Sequence, residues 1–387
     1  MEAVDKGSSG KGEFFTVNLN QIDAMVKLGA GAEEVMSFVI LARGVNRRRR
    51  TCFSTHGANS IANRTGMSYR RAQASLDWLV EKGFIQIAPD SSNETNKAKR
   101  AKWLLVEDAD LTDVYLANAL TDGIGRGKNN PPLMRIYDEA KSKSATFADA
   151  RLDATMLLLY LYRYNDMQDC GGIDPRSGIY RQWVGTENMW GKEITAIEGT
   201  NAALYEIKGG ENVMFKKFAR ESLFYIADDE ELSARFWDAF KSLHRLGFLY
   251  EVTQVWSADP NGKDGRKAEP LYTLYVHDRH AKESEPYLQK EIHKTAFRRE
   301  AMDKYIEFSH LGMMERFGHY ISETGDILGE GGLGSGRFRF IANRKTGAFP
   351  IGIFRLRFRP KTRDSGRGME AEIKRIDSWT DSLRALC

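Results

Sequence analysis

The residues in this sequence best suited to reading another molecule lie between 68 and 73: Ser68, Tyr69, Arg70, Arg71 and Gln73. Arginine and glutamine carry forked donors and acceptors that match guanine and adenine edges, and a helix fits the major groove of DNA. The flanking pattern supplies such a helix. Ala72, Leu76, Leu79 and Val80 recur at helical spacing and predict an apolar inner face. Arg70, Gln73 and Asp77 then fall on the opposite side, with Tyr69 and Arg71 at its edges, and Ser68 is a residue type that caps helices. Upstream, Asn59 to Arg64 predicts a short helix with Ile61 and Ala62 inward, and Thr65-Gly66-Met67 a turn in which Gly66 takes positive φ. Downstream, Gly83 ends the longer helix. Phe84 to Ala88 predicts a strand and Trp103 to Val106 its return, across a loop holding Lys97, Lys99, Arg100 and Lys102. Cations in that loop would meet phosphates and add salt-dependent affinity without reading sequence.

Taken together, Ser54 to Val106 resembles a winged helix-turn-helix, with the basic loop as its wing. The resemblance implies a double-stranded DNA partner. Ala32 to Arg43, amphipathic through Val35, Phe38, Val39 and Leu41, is expected to be the first helix of the unit. The run Arg47, Arg48, Arg49, Arg50 follows it, and adjacent guanidiniums that repel one another are matched naturally by a phosphate backbone.

Composition fits such a role without dictating it. A chain of 387 residues with 42% hydrophobic and 28% charged residues is that of a globular protein. Its length predicts about two or three domains. The net charge of +4 is mild, so nucleic-acid affinity must come from local clusters. Cys52, Cys170 and Cys387 are scattered, form no metal spacing and suit a reducing cytoplasm. The polar residues 1–13 carry no secretory pattern, no apolar run reaches membrane-spanning length, and a cytoplasmic protein is expected.

Laying LDWLVEKGFI of 76–85 on FKSLHRLGFL of 240–249 matches Leu79 to Leu243, Gly83 to Gly247 and Phe84 to Phe248. Strands at Tyr250 to Trp256 and Leu271 to Val276 flank a polar loop, so a second, degenerate winged unit is expected. At its turn the first unit's Arg64-Thr-Gly-Met67 becomes Asp228-Asp-Glu-Glu231, and those carboxylates would repel phosphate. That unit is therefore expected to contact protein, through a homodimer or another partner. Toward the C-terminus, Phe297 to Phe317 predicts a helix. Arg337-Phe-Arg-Phe340 and Phe354-Arg-Leu-Arg-Phe-Arg359 alternate with period two, predicting a hairpin with Arg337, Arg339, Arg355, Arg357 and Arg359 on one face, expected to meet DNA backbone, with an acidic protein as the alternative.

No catalytic constellation emerges. Gly123, Gly125 and Gly127 do not make a phosphate loop, His277 and His280 lack the spacing of a helical zinc pair, and Asp90, Glu94 and Lys97 miss a nuclease spacing. No metal and no cofactor are expected. The expected architecture is α+β: a flexible lead at 1–13, a winged-helix domain at 14–110, a linker at 111–146, a second winged domain at 147–280 with an insertion at 173–212, and a helical and basic β region at 281–387. The expected function is a non-enzymatic transcriptional regulator. Alternatives are a plasmid or phage replication initiator, since the tandem arrangement is similar to theta-type plasmid initiators, or a winged-helix scaffold subunit of a larger complex.

Overall fold

The computed structural model describes residues 14–45, 53–87, 103–105, 113–123, 131–139, 147–177, 179–183, 192–196, 202–208, 213–215, 230–260, 268–277, 337–343 and 349–360, with 367, 371 and 374. The chain mixes helices with several small antiparallel sheets and is α+β. It divides into two units. The first comprises Met1–Arg163, Ala234–Leu246 and Phe358–Thr362; the second comprises Tyr164–Ser233, Gly247–Arg357 and Arg363–Cys387.

The first unit opens with β1 (Phe14–Asn18) and α1 (Leu19–Lys27), where Asn18 Oδ1 caps the helix by accepting from Gln21 N at 3.1 Å. α2 (Ala32–Arg43) is buried almost all round, from Val35 and Met36 to Leu41 and Ala42, so it is the central helix of this core. β2 (Phe53–Ser54), α3 (Ala58–Thr65), α4 (Tyr69–Glu81), β3 (Ile85–Ile87) and β4 (Trp103–Leu105) follow in turn. The three short strands form one sheet in the order β2-β4-β3, with Phe53 opposite Leu104 and Ile87 opposite Trp103. Ala72, Leu76 and Leu79 of α4 are buried, at roughly 2 kcal/mol for each leucine. Val80 is 37% exposed and does not belong to the inner face expected for it. The buried fourth position is instead Ser75, whose hydroxyl donates to Glu34 Oε1 of α2 at 3.2 Å.

The stretch expected as a linker carries structure of its own. β5 (Asp113–Ala117) pairs antiparallel with β1, Phe15 opposite Leu116, and α5 (Asn118–Asp122) and α6 (Pro132–Glu139) follow. Pro132 opens α6 rather than breaking it, because a first-turn residue has no intrahelical acceptor to lose. α7 (Phe147–Arg163) is the buried helix that its apolar run predicted, with Leu157, Leu158, Leu159 and Leu161 inside.

The second unit is largely sheet. β6 (Asn165–Asp166) pairs with β7 (Gly172–Ile173). β8 (Arg181–Trp183), β9 (Lys192–Ala196) and β10 (Ala202–Lys208) occupy the stretch expected as an irregular insertion, and β11 (Val213–Phe215) follows it. α8 (Glu230–Arg245) precedes the hairpin of β12 (Leu249–Trp256) and β13 (Pro270–His277), and β14 (Arg337–Asn343) and β15 (Phe349–Leu356) complete the described strands. One sheet runs β11-β8-β15-β12-β13 and another β14-β10-β9. The core of the larger sheet gathers Tyr180, Tyr250, Val252, Trp256, Phe349, Ile351 and Ile353 around Cys170.

The helix and two strands expected of a second winged unit are present as α8, β12 and β13, yet they are assembled differently. In the first unit the return strand, β4, is central. In the second the return strand, β13, lies at the edge, and β12 is interior because β15 takes its other side with Val252 opposite Ile353. Moreover, most of α8 belongs to the first unit. Arg235 forms a two-pronged ion pair with Asp153 of α7 at 2.8 and 2.9 Å, and Ser242 and Arg245 both engage Glu139 of α6.

Candidate nucleic-acid interface

The geometry of the candidate reading helix is set by the turn before it. Gly66 ends α3 with φ +78°, its amide donating to Ala62 O at 2.9 Å. Thr65 is fully buried and its hydroxyl donates to Ile61 O at 2.7 Å. Ser68 then caps α4, its Oγ accepting from Arg71 N at 3.3 Å. Both features stand where the sequence placed them.

Beyond that cap the first turn of α4 projects Tyr69, 55% exposed, and Arg70, also exposed. Gln73 Nε2 donates to Asp77 Oδ1 at 2.9 Å, one helical turn along, which fixes the amide against the helix surface. The exposed face is therefore polarised. Its N-terminal half offers a hydroxyl, a phenol, a guanidinium and an amide, whereas Asp77 and Glu81 make the C-terminal half acidic. Only the N-terminal half suits a polyanion.

Arg71 stands differently from its neighbours. Its Nη1 donates to Glu33 Oε1 of α2 at 2.8 Å and lies 3.0 Å from the Tyr137 hydroxyl of α6. Tyr137 itself donates to Glu33 Oε1 at 3.0 Å, and the Arg151 guanidinium stacks 4.2 Å from the centre of the Tyr137 ring. The hydrogen bond to Tyr137 and the charge of Glu33 hold the Arg71 pKa above its ordinary value, and burial raises that of Tyr137. Arg71 thus fastens α4 to the body of the unit rather than extending freely. This tether is not legible in the sequence, because Tyr137 lies on a helix in the stretch expected as a linker.

Behind the turn, Asp122 of α5 bridges Arg43 and Arg64. Arg43 donates to its Oδ2 through Nε at 3.1 Å and Nη2 at 2.6 Å, and Arg64 Nε donates to its Oδ1 at 3.0 Å. His56 Nδ1 donates to Ile40 O at 2.9 Å; burial pushes the His56 pKa down, and Arg64 and Arg43 push it the same way. The residue that precedes α3, in the capping position, is Gly57, which has no side chain to cap it. Trp103 of β4 faces that end: its indole nitrogen lies 3.7 Å from where a Cβ on Gly57 would sit, and it is buried without a hydrogen-bond partner. The missing cap residue before α3 is the one sequence signal that pointed to this spot.

The remaining expected contacts fare unequally. Arg47, Arg48, Arg49, Arg50, Lys97, Lys99, Arg100 and Lys102 lie outside the described residues, as do Phe297 to Phe317 and Asp228-Asp229. Arg337 and Arg339 are in β14, opposite Lys208 and Glu206 of β10. The expected hairpin does not form, because β14 and β15 join different sheets. Arg355 and Arg357 are fully buried and Arg359 is 2% exposed, so the basic face that was expected to meet DNA is turned inward. The Arg355 guanidinium donates to Gly171 O, and Arg357 Nε donates to Gly247 O at 2.6 Å. Carbonyl acceptors replace water for these charges, and β15 is covered on both faces.

Among the described residues no cluster of histidine, cysteine or carboxylate groups has the makings of a metal site, and no helix is long and apolar enough to cross a membrane. Compared with known proteins, the chain matches no family model, no curated protein and no solved structure.

Proposed function

We propose that this chain is a non-enzymatic double-stranded DNA-binding protein, reading sequence through α4 of a winged helix-turn-helix and acting as a transcriptional regulator. The observation that carries the reading is the first turn of α4. A left-handed Gly66 and a Ser68 cap deliver a helix whose Tyr69 and Arg70 stand in solvent while Ala72, Leu76 and Leu79 are buried. The antiparallel pairing of β3 with β4 in the order β2-β4-β3 supports it, since a winged fold follows its reading helix with two such strands.

Recognition proceeds from the helix outward. The N-terminal turn of α4 enters the major groove, Arg70 takes a guanine edge and Gln73, released from Asp77, takes an adenine edge. Arg71 stays on Glu33 and Tyr137 and sets the angle at which α4 is presented. The test is fluorescence anisotropy against genomic duplexes across a salt series. A bidentate contact discriminates by about 1–3 kcal/mol, so Arg70→Ala with Gln73→Ala should weaken the preferred fragment at least tenfold and leave random duplex nearly unchanged. Equal affinity of the wild-type chain and this variant for the preferred fragment would end the reading. A footprint over directly repeated sites, in place of a palindrome, would reassign the chain to replication initiation.

A further inference from the structure

We propose that the N-terminus of α3 and the indole N–H of Trp103 together form a binding site for a phosphate oxyanion. Three observations converge on it. The first amides of any helix lack intrahelical acceptors, and at α3 the residue in the capping position is Gly57, with no oxygen to offer them. Trp103 is 7% exposed and its Nε1–H is buried with no hydrogen-bond partner, which is costly for a donor shut away from water. That nitrogen is also the atom nearest to the missing Cβ of Gly57, at 3.7 Å, so the unused indole donor lies beside the uncapped helix end.

The two sets of donors define their ligand. Backbone N–H groups at a helix end beside an indole N–H are all donors, and donors converging in this way suit an anion. A tetrahedral phosphate has oxygens enough to meet the amides and the indole together. Gly57 is only half-buried, so an oxygen enters over its bare α-carbon, where any side chain would stand in the way. The nearby charge is favourable: Arg43 and Arg64 both approach His56 and share the single carboxylate of Asp122. The phosphate has two possible sources, a duplex backbone or free inorganic phosphate. The first deepens the DNA-binding reading and rests on it, since a duplex with α4 in its groove runs its backbone past the preceding helix; the second does not.

The experiment follows the Trp103 indole resonance in the full chain by amide-type proton–nitrogen correlation spectra, assigned by its absence in Trp103→Phe. Inorganic phosphate is titrated against chloride at matched ionic strength, and a duplex is titrated separately. A saturable shift of that resonance with phosphate but not chloride, or with duplex, supports the site, and which titrant moves it names the source. In Gly57→Asp the new carboxylate caps α3 and accepts from the indole, at a φ of −143° that any residue adopts. That variant should melt higher than wild type, lose the phosphate response and, where duplex is the source, lower the salt slope by about 0.9, the share of one phosphate. A Trp103 resonance unmoved by both titrants overturns the proposal. Duplex binding measured by anisotropy stands or falls separately, so loss of the site and loss of the DNA reading are told apart.

Discussion

Gly66→Ala tests how the reading helix is held, and its cost follows from two terms. An alanine at φ +78° pays a left-handed backbone penalty of about 1–2 kcal/mol. Its Cβ would also sit 2.8 Å from Met134 Cγ and 3.3 Å from Asp138 Oδ1, both on α6. Overpacking costs about 1–3 kcal/mol, and the flexible, part-exposed Met134 keeps it near the lower bound. The sum is about 2–3 kcal/mol. Gly83 supplies the control, because its φ is +79° and nothing lies within 4 Å of its Cβ position. Gly83→Ala should therefore lose only the backbone part, about 1–2 kcal/mol. The excess at Gly66, about 1 kcal/mol, corresponds to roughly 2–4 °C in Tm for a unit of this size. Calorimetry on the two variants, with Met134→Ala added to close a double-mutant cycle, isolates the contact. Equal losses at Gly66 and Gly83, with no coupling to Met134, would refute the docking of α6 against the turn.

Asp122→Ala removes the carboxylate that Arg43 and Arg64 share and leaves two guanidiniums facing each other; urea unfolding should show a loss of about 1–3 kcal/mol. Tyr137→Phe deletes the hydroxyl between Arg71 and Glu33, and should cost about 1 kcal/mol while broadening sequence preference in the anisotropy assay. His56 has a folded pKa below its ordinary 6.5, so the folded state binds fewer protons than the unfolded one as pH falls through that value. Stability is then fully present above about pH 6.5 and declines below it, and His56→Gln should remove that part of the slope in melting curves taken across pH. Cys170 is buried, and burial with Asp174 nearby pushes its thiol up to about 12, so a thiol reagent at neutral pH should label it only after denaturation.

What the sequence made legible was local. Gly66 and Ser68 announce a turn and a cap because each meets a requirement of its own backbone, and α7 is visible as an unbroken apolar run. What it concealed depended on partners far along the chain. The arginine alternation of β15 is real, but period two cannot say which face is covered. The acceptors that turn Arg355 and Arg357 inward lie 184 and 110 residues away. Gly172 likewise serves a distant neighbour, since a Cβ there would sit 2.7 Å from Phe354 O. Pro131-Pro132 read as breakers although one of them starts α6, and with that helix went Tyr137 and the tether on Arg71. Trp103 read only as a strand residue, its indole proton being invisible without the helix end it faces.

The division of the chain between its units bears on how the protein is made. The first unit takes α8 from residues 234–246 and closes with Phe358–Thr362, where the Tyr162 hydroxyl donates to Phe358 O. A ribosome delivers residues in order, so α3 and α4 emerge well before 234–246 and 358–362 arrive to complete the core of their unit. Until then Asp153 and Glu139 are without the partners that Arg235, Ser242 and Arg245 bring. A fragment ending at Arg163 lacks both later segments of the unit and is expected to melt below the same unit in the full chain.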